Sequence, residues 1–358
     1  MKNLAFVQSY SVAKWEKEFL ARVKNELSQP SPDASFQIVD QVERADLVLY
    51  SDTVSRKSTR KTLSACRDLL ERVKATGGAI FALNFEDRPL GILPGIYSSL
   101  RPNNFDSTLH LSWPHLEAPN NEVETCNVET ASAKRSGQEP FLFTFAGSCS
   151  HRLRRKIFSL YGSGAGSGGR WKVVEVDRWY NHTEDERKQY VQDILNSRFA
   201  LCPRGIAAYS HRIFESILLE RVPVIIGDDW VPFSVPDQGY YIRIAEKDIG
   251  QIAQILETEL ENYDDYLTNL RKLSLNWFGK RLRYRNVVEH FLKFHQQNRT
   301  AHDPAKLIKR LEGAEFRRAN SLLSHQKIFK TTARVLRQLV GPRSFRCKVR
   351  TNAQANVD

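Results

Sequence analysis

A strand-loop-helix-strand unit between Ser197 and Phe233 constrains the fold of this chain more than any other stretch. Its sequence is SRFALCPRGIAAYSHRIFESILLERVPVIIGDDWVPF. Arg198 to Cys202 reads as a short buried strand and Pro203-Arg204-Gly205 as a turn; an amphipathic helix opens near Ser210, and Pro223 to Ile226 reads as a second strand, ending in Gly227, Asp228 and Asp229. Two strands joined through a helix pair in parallel, because the crossover returns the chain to the same end of the sheet. In open α/β sheets, ligands gather at the carboxyl ends of the strands and at helix N-termini, where free N–H groups and the helix dipole favour phosphate. The polar residues of this unit lie in the loops that such a sheet presents there.

The rest of the chain repeats the alternation. Apolar runs at 4–7, 36–40, 45–52 and 79–84 are separated by helical patterns over Val12–Leu27 and near Arg60–Thr76, which predicts a doubly wound parallel sheet. This first domain, 1–120, lacks the GxGxxG dinucleotide fingerprint. Five prolines between 85 and 120 predict loops there, with at most a short strand at 109–113. The polar segment 121–140 reads as a linker or insertion, too poor in apolar residues to bury a face. A second α/β domain, 141–298, opens with the strand FLFTFAG at 141–147 and the basic helix start HRLRRKIFSLYG at 151–162. The run GSGAGSGG at 162–169 follows a helix and lacks the GK[ST] ending of a phosphate loop, so it reads as a flexible turn. A basic helical tail, 299–358, completes the chain.

Composition limits the partners. With 358 residues the chain is long enough for two domains, and its net charge of +12 points to anionic partners: a phosphorylated substrate, an acidic membrane surface or nucleic acid. No recognised nucleic-acid motif accompanies the charge. Five scattered cysteines without a CxxC pair suggest neither a zinc site nor a disulfide framework, so a reducing, cytoplasmic setting is expected. No signal peptide or membrane span is expected from the first residues or elsewhere. In the tail, 327–341 sets Ile328, Val335, Leu336, Leu339 and Val340 beside Lys327, Lys330, Arg334 and Arg337, a pattern that suits either an anionic membrane surface or packing on the domain body.

Several residues of the central unit could carry chemistry. Gly205 permits a sharp turn after the strand, and Ser210 is the expected N-cap of the following helix. Arg212 then falls in the first turn, where a cation opposes the dipole; it either pairs with Glu215 or Glu220 or offsets a bound pyrophosphate. Glu215, one turn further on the same face, can pair with Arg212 or accept hydrogen bonds from a ribose diol. Asp228 and Asp229 read as turn or capping residues rather than as metal ligands.

LCPRG at 201–205, SHRIFE at 210–215 and VPVIIGDDWVPF at 222–233, preceded by FTFAGSCSHRLRRKI at 143–157, together resemble the exostosin family of glycosyltransferases over roughly 141–260. The resemblance implies two Rossmann-like domains facing a cleft, of the GT-B type. It also implies inverting transfer from a nucleoside-diphosphate sugar, expected to be a UDP-sugar, to a glycan or lipid-linked hydroxyl. Arg212 is then directed to the diphosphate and Glu215 to the ribose, with Gly147 and either Arg152 or Arg154 facing the phosphates beside the Pro203-Arg204-Gly205 turn and Ser210. No tightly bound cofactor and no metal is expected. The general base is expected from the first domain, with Asp87 the leading candidate because it follows the 79–84 strand, and Glu86 and Asp106 as rivals. A non-catalytic module that binds anionic glycan, lipid or nucleic acid is the competing reading.

Overall fold

The structure, a computed structural model, describes residues 2–8, 14–29, 36–51, 60–126, 139–162, 169–177, 182–236, 238–279 and 283–314. Residues 163–168 of the expected turn and the helix expected at 327–341 therefore lie outside the described residues. One compact unit, Met1–Ile308, holds two parallel sheets. A second, Lys309–Asp358, is described only over 309–314, which is helical.

The first sheet comprises β1 (Lys2–Gln8), β2 (Phe36–Ile38), β3 (Leu47–Ser51), β4 (Ala79–Asn84), β5 (Gly95–Tyr97) and β6 (His110–Ser112), in the order β2-β1-β3-β4-β5-β6 and parallel throughout. β3 and β4 are buried at every position, as expected of strands covered on both faces. Helix α1 (Lys14–Leu27) follows β1, and α2 (Arg60–Thr76) sets Leu63, Cys66, Leu70 and Val73 on one buried face. β5 lies in the stretch read as loop. A Cβ on Gly95 would stand 2.2 Å from the Ala82 carbonyl oxygen, so glycine there permits β5 to approach β4, and 91–100 is buried despite Pro94.

Between the domains, α3 (Asn121–Thr125) forms in the segment read as linker. Asn120 caps it by accepting from the Glu122 N–H, and Val123 packs with Val191 and Ile194.

The second sheet comprises β7 (Phe141–Gly147), β8 (Trp171–Glu175), β9 (Ser197–Pro203), β10 (Val222–Ile226) and β11 (Ile242–Ile244), in the order β11-β10-β9-β7-β8, also parallel. Its helices are α4 (Arg152–Tyr161), α5 (Glu184–Leu195) and α6 (His211–Leu218), then α7 (Ile252–Thr258) and α8 (Tyr263–Leu273). In α4, Leu153, Ile157 and Tyr161 recur every fourth residue and are buried. Thr183 and Glu186 form a reciprocal capping box that starts α5. Strand order reverses between β7 and β9, so the topological switch point lies between Gly147 and Pro203.

The two domains share one core. Helix α9 (Arg283–Gln297) follows the second sheet in sequence yet packs on the first, with Phe291 stacked on Phe81 at 3.7 Å. The carboxyl end of β6 docks on the loop after β10: Ser112 donates to the Val231 carbonyl (2.8 Å), and Ser234 donates its N–H to the Ser112 carbonyl (2.8 Å). The buried Arg283 guanidinium makes a bidentate pair with Glu124 (2.8 and 2.7 Å) and donates to the Leu116 carbonyl.

Candidate active site

Three arginines converge on the switch point. α6 begins directly after the Pro203–Ser210 loop, so its first turn places Arg212 beside the end of β7. The Arg212 guanidinium donates to the Ala146 carbonyl and lies over the rings of Phe145 (4.7 Å) and Tyr190 (5.6 Å). Gly147 makes this approach possible, because a Cβ there would come within 2.7 Å of Arg212 Nη2. Arg154, from α4, donates to the Pro203 carbonyl (3.1 Å) and the Arg204 carbonyl (3.2 Å), passing Gly205, where a Cβ would be 3.2 Å from Nη2. Arg152 is exposed on the opposite side of that turn, so of the two expected alternatives Arg154 is the one that faces the loop.

The charge balance of the three differs. Arg204 is neutralised by Asp229 (2.7 Å) and Glu246 (3.7 Å). No ion pair holds Arg154 or Arg212 among the described residues; Glu220 pairs with Arg271 (3.1 Å), and Glu215 accepts from the Tyr190 hydroxyl (2.5 Å). Burial and the neighbouring Arg212 charge push Arg154 down to about 9, the signature of a cation lacking a counter-ion. Burial raises the Glu215 carboxyl above its usual range, although Tyr190, Arg212 and the Asn120 backbone oppose that shift.

Ser210 occupies the N-cap position, with extended backbone, but its hydroxyl makes no capping hydrogen bond. That corrects the expected side-chain cap. The backbone satisfies the start of the helix by Ile213 N–H to Ser210 carbonyl (3.0 Å), and the buried Oγ meets no partner among the described residues. Arg212 Nε and Arg204 Nε are likewise buried without an acceptor. Unmatched donors are costly in a protein interior unless a ligand completes them.

Asp228 and Asp229 serve the loop. Asp228 exchanges hydrogen bonds with Glu246, side chain to backbone in both directions (3.1 and 3.4 Å), while Asp229 also reaches Arg101 of the first domain (3.4 Å). No group of three or more metal-ligating side chains occurs among the described residues. Asp87 is exposed on the loop after β4 and makes no hydrogen bond or ion pair among the described residues, whereas Asp106 accepts from Thr108.

Sequence reasoning missed Tyr190, His115 and His211. Tyr190 lies on a polar helix, EDERKQYVQDIL, whose pattern gives no hint of the second domain's interior. His115, in the loop after β6, stacks on Tyr209 (5.4 Å, 6°) and meets His211 edge-on (4.2 Å). His211, adjacent to Arg212 in SHRIFE, was the available signal.

These features define a two-domain parallel α/β protein with a cationic site at the switch point of its second sheet. Residues 96–258 match the model of the Exostosin GT47 domain, the family that the central motif resembles. Probable glucuronosyltransferase GUT1 of Oryza sativa subsp. japonica is 34% identical over 89 residues, 24% of this chain and 21% of that protein. The Exostosin-1 homolog of Caenorhabditis elegans is 31% identical over 120 residues, 29% of this chain and 31% of that one. The match thus spans under a third of the length of either relative. An α1,3-fucosyltransferase structure superposes over 82% of this chain and 90% of its own, at 13% identity and a TM-score of 0.43.

Proposed function

We propose that the protein is an inverting glycosyltransferase that moves a sugar from a nucleoside-diphosphate sugar to a hydroxyl of a glycan or lipid-linked acceptor. UDP is the nucleotide we assign to the donor. The observation that carries this reading is the pair of guanidiniums, Arg154 and Arg212, held at a helix N-terminus with no ion-pair partner among the described residues. A diphosphate supplies the charge they lack and an acceptor for the Ser210 hydroxyl. The naming of the relatives as probable glucuronosyltransferase and Exostosin-1 homolog supports the same chemistry.

In this mechanism the acceptor oxygen attacks the anomeric carbon as the bond to the diphosphate breaks. Negative charge accumulates on the leaving group, and Arg212, Arg154 and the α6 N-terminus stabilise it without having to reorganise. Gly147 and Gly205 keep the walls open to the phosphates. Glu215, with one oxygen held by Tyr190, is assigned to the ribose diol. Purified protein given an acceptor and a panel of UDP-sugars is expected to release free UDP, and Glu215→Ala or Arg212→Ala should abolish that release. Turnover at the wild-type rate in both variants would contradict the assignment of the site.

A further inference from the structure

We infer that His211 is the general base that takes the proton of the acceptor hydroxyl, braced by His115 from the first domain. The inference rests on the transferase reading and names a residue for its least defined role. His211 is the first residue of α6, immediately before Arg212, and it is exposed where the first domain meets the second. His115 presses on it at 4.2 Å, and Tyr209 lies edge-on to the same ring at 5.6 Å.

Hydrogen bonding distinguishes these two imidazoles from others in the chain. His110 Nδ1 accepts from the Asp106 N–H (2.9 Å), and its Nε2 bonds the Gly91 carbonyl (3.0 Å). His302 bonds the Thr108 carbonyl and His295, while His151 caps α4. The ring nitrogens of His115 and His211 meet no hydrogen-bond partner among the described residues. A lone pair at an exposed imidazole beside the leaving-group site is what a base requires.

The charges facing His211 are Arg212 on its own helix, Arg154 from α4 and His115 from the loop after β6. Although its edge is open, the ring is surrounded by protein. This loss of solvation, then Arg212 and Arg154, push it down to about 4, so it is neutral at pH 7. A bound diphosphate reverses the sign of the local field and makes the imidazole more basic. In the step, the acceptor oxygen forms a bond to the anomeric carbon as its proton passes to an imidazole nitrogen of His211. The bond from the anomeric carbon to the diphosphate oxygen breaks, and its electron pair leaves with the nucleoside diphosphate. Imidazolium and the additional phosphate charge arise together and neutralise each other.

The test compares steady-state kinetics of the wild type, His211→Gln and Asp87→Asn over pH 5–9, with UDP-binding calorimetry on each as a check of the donor site. For His211→Gln, kcat should fall by roughly 10²–10⁴-fold, with UDP affinity retained and the acid limb of kcat/KM removed. A His211→Gln enzyme that keeps wild-type kcat and pH profile overturns the inference, as does loss of turnover in Asp87→Asn alone. Wild type that binds UDP but releases none from any sugar donor removes the transferase reading, and the inference with it.

Discussion

Two sets of arginines in this molecule solve opposite problems. At the seam between the domains, Arg283 is held by both oxygens of Glu124 and by the Leu116 carbonyl, and Glu117 is bound by Arg22 and Tyr284. At the switch point, Arg154 and Arg212 have backbone carbonyls and aromatic faces but, among the described residues, no carboxylate in an ion pair. Burying a charge is costly unless it is paired. A matched cation therefore reports structure, and an unmatched pair reports a ligand.

Breaking the matched side should have the largest effect. Glu124→Ala leaves Arg283 buried with one carbonyl partner, and a loss of about 3–5 kcal/mol of stability is expected, read by urea or thermal unfolding. Arg154→Ala should do the reverse by relieving repulsion from Arg212, with stability kept and donor affinity lost. If both variants unfold alike, the contrast between the two sets is wrong.

The seam also carries a neutral lock whose response to pH has a defined sign. Thr108 presents a carbonyl to His302 Nε2, so that nitrogen carries the proton and Nδ1 accepts from His295 Nδ1–H (2.9 Å). Burial, chiefly, holds the folded His302 down at about 4, against roughly 6.5 in an unfolded chain. The unfolded chain binds the proton first, so stability is intact above about pH 6.5 and is lost as pH falls towards 4, by up to about 3 kcal/mol. His302→Gln should flatten that limb in unfolding curves measured across this range.

Gly147→Ala is the smallest and most specific change. The added methyl meets Arg212 Nη2 at 2.7 Å, and the end of a flexible side chain can move aside. Nucleoside-diphosphate affinity is expected to weaken about tenfold, or ~1.4 kcal/mol, with little change in thermal stability. An unchanged affinity would show that the guanidinium position is not critical.

Much of this was legible from residue order. Near-continuous apolar runs such as AIFAL and VPVII suit strands buried on both faces, and their alternation with helices points to parallel sheets. The family resemblance directed Arg212, Gly147 and the Pro203-Arg204-Gly205 turn to one site, and the fold brings them together at the switch point. Less visible was β5, because Gly95 and the nearby prolines resemble a loop until β4 is seen pressing against it. The return of α9 to the first sheet was also hidden, since an amphipathic period names a buried face and not its partner. Contacts made across the seam, such as His115 with His211, depend on residues 96 positions apart in the chain and leave no local pattern.

The central claim is that Arg154 and Arg212 form an uncompensated cation pair awaiting a nucleoside diphosphate. Calorimetric titration of UDP and GDP into wild type and Arg212→Ala tests it most directly. Wild type should bind at least one of the two, more weakly as salt rises, and the variant should lose about 10²-fold or more in affinity. Equal affinity in both proteins, or no binding of either nucleotide to wild type, would contradict it.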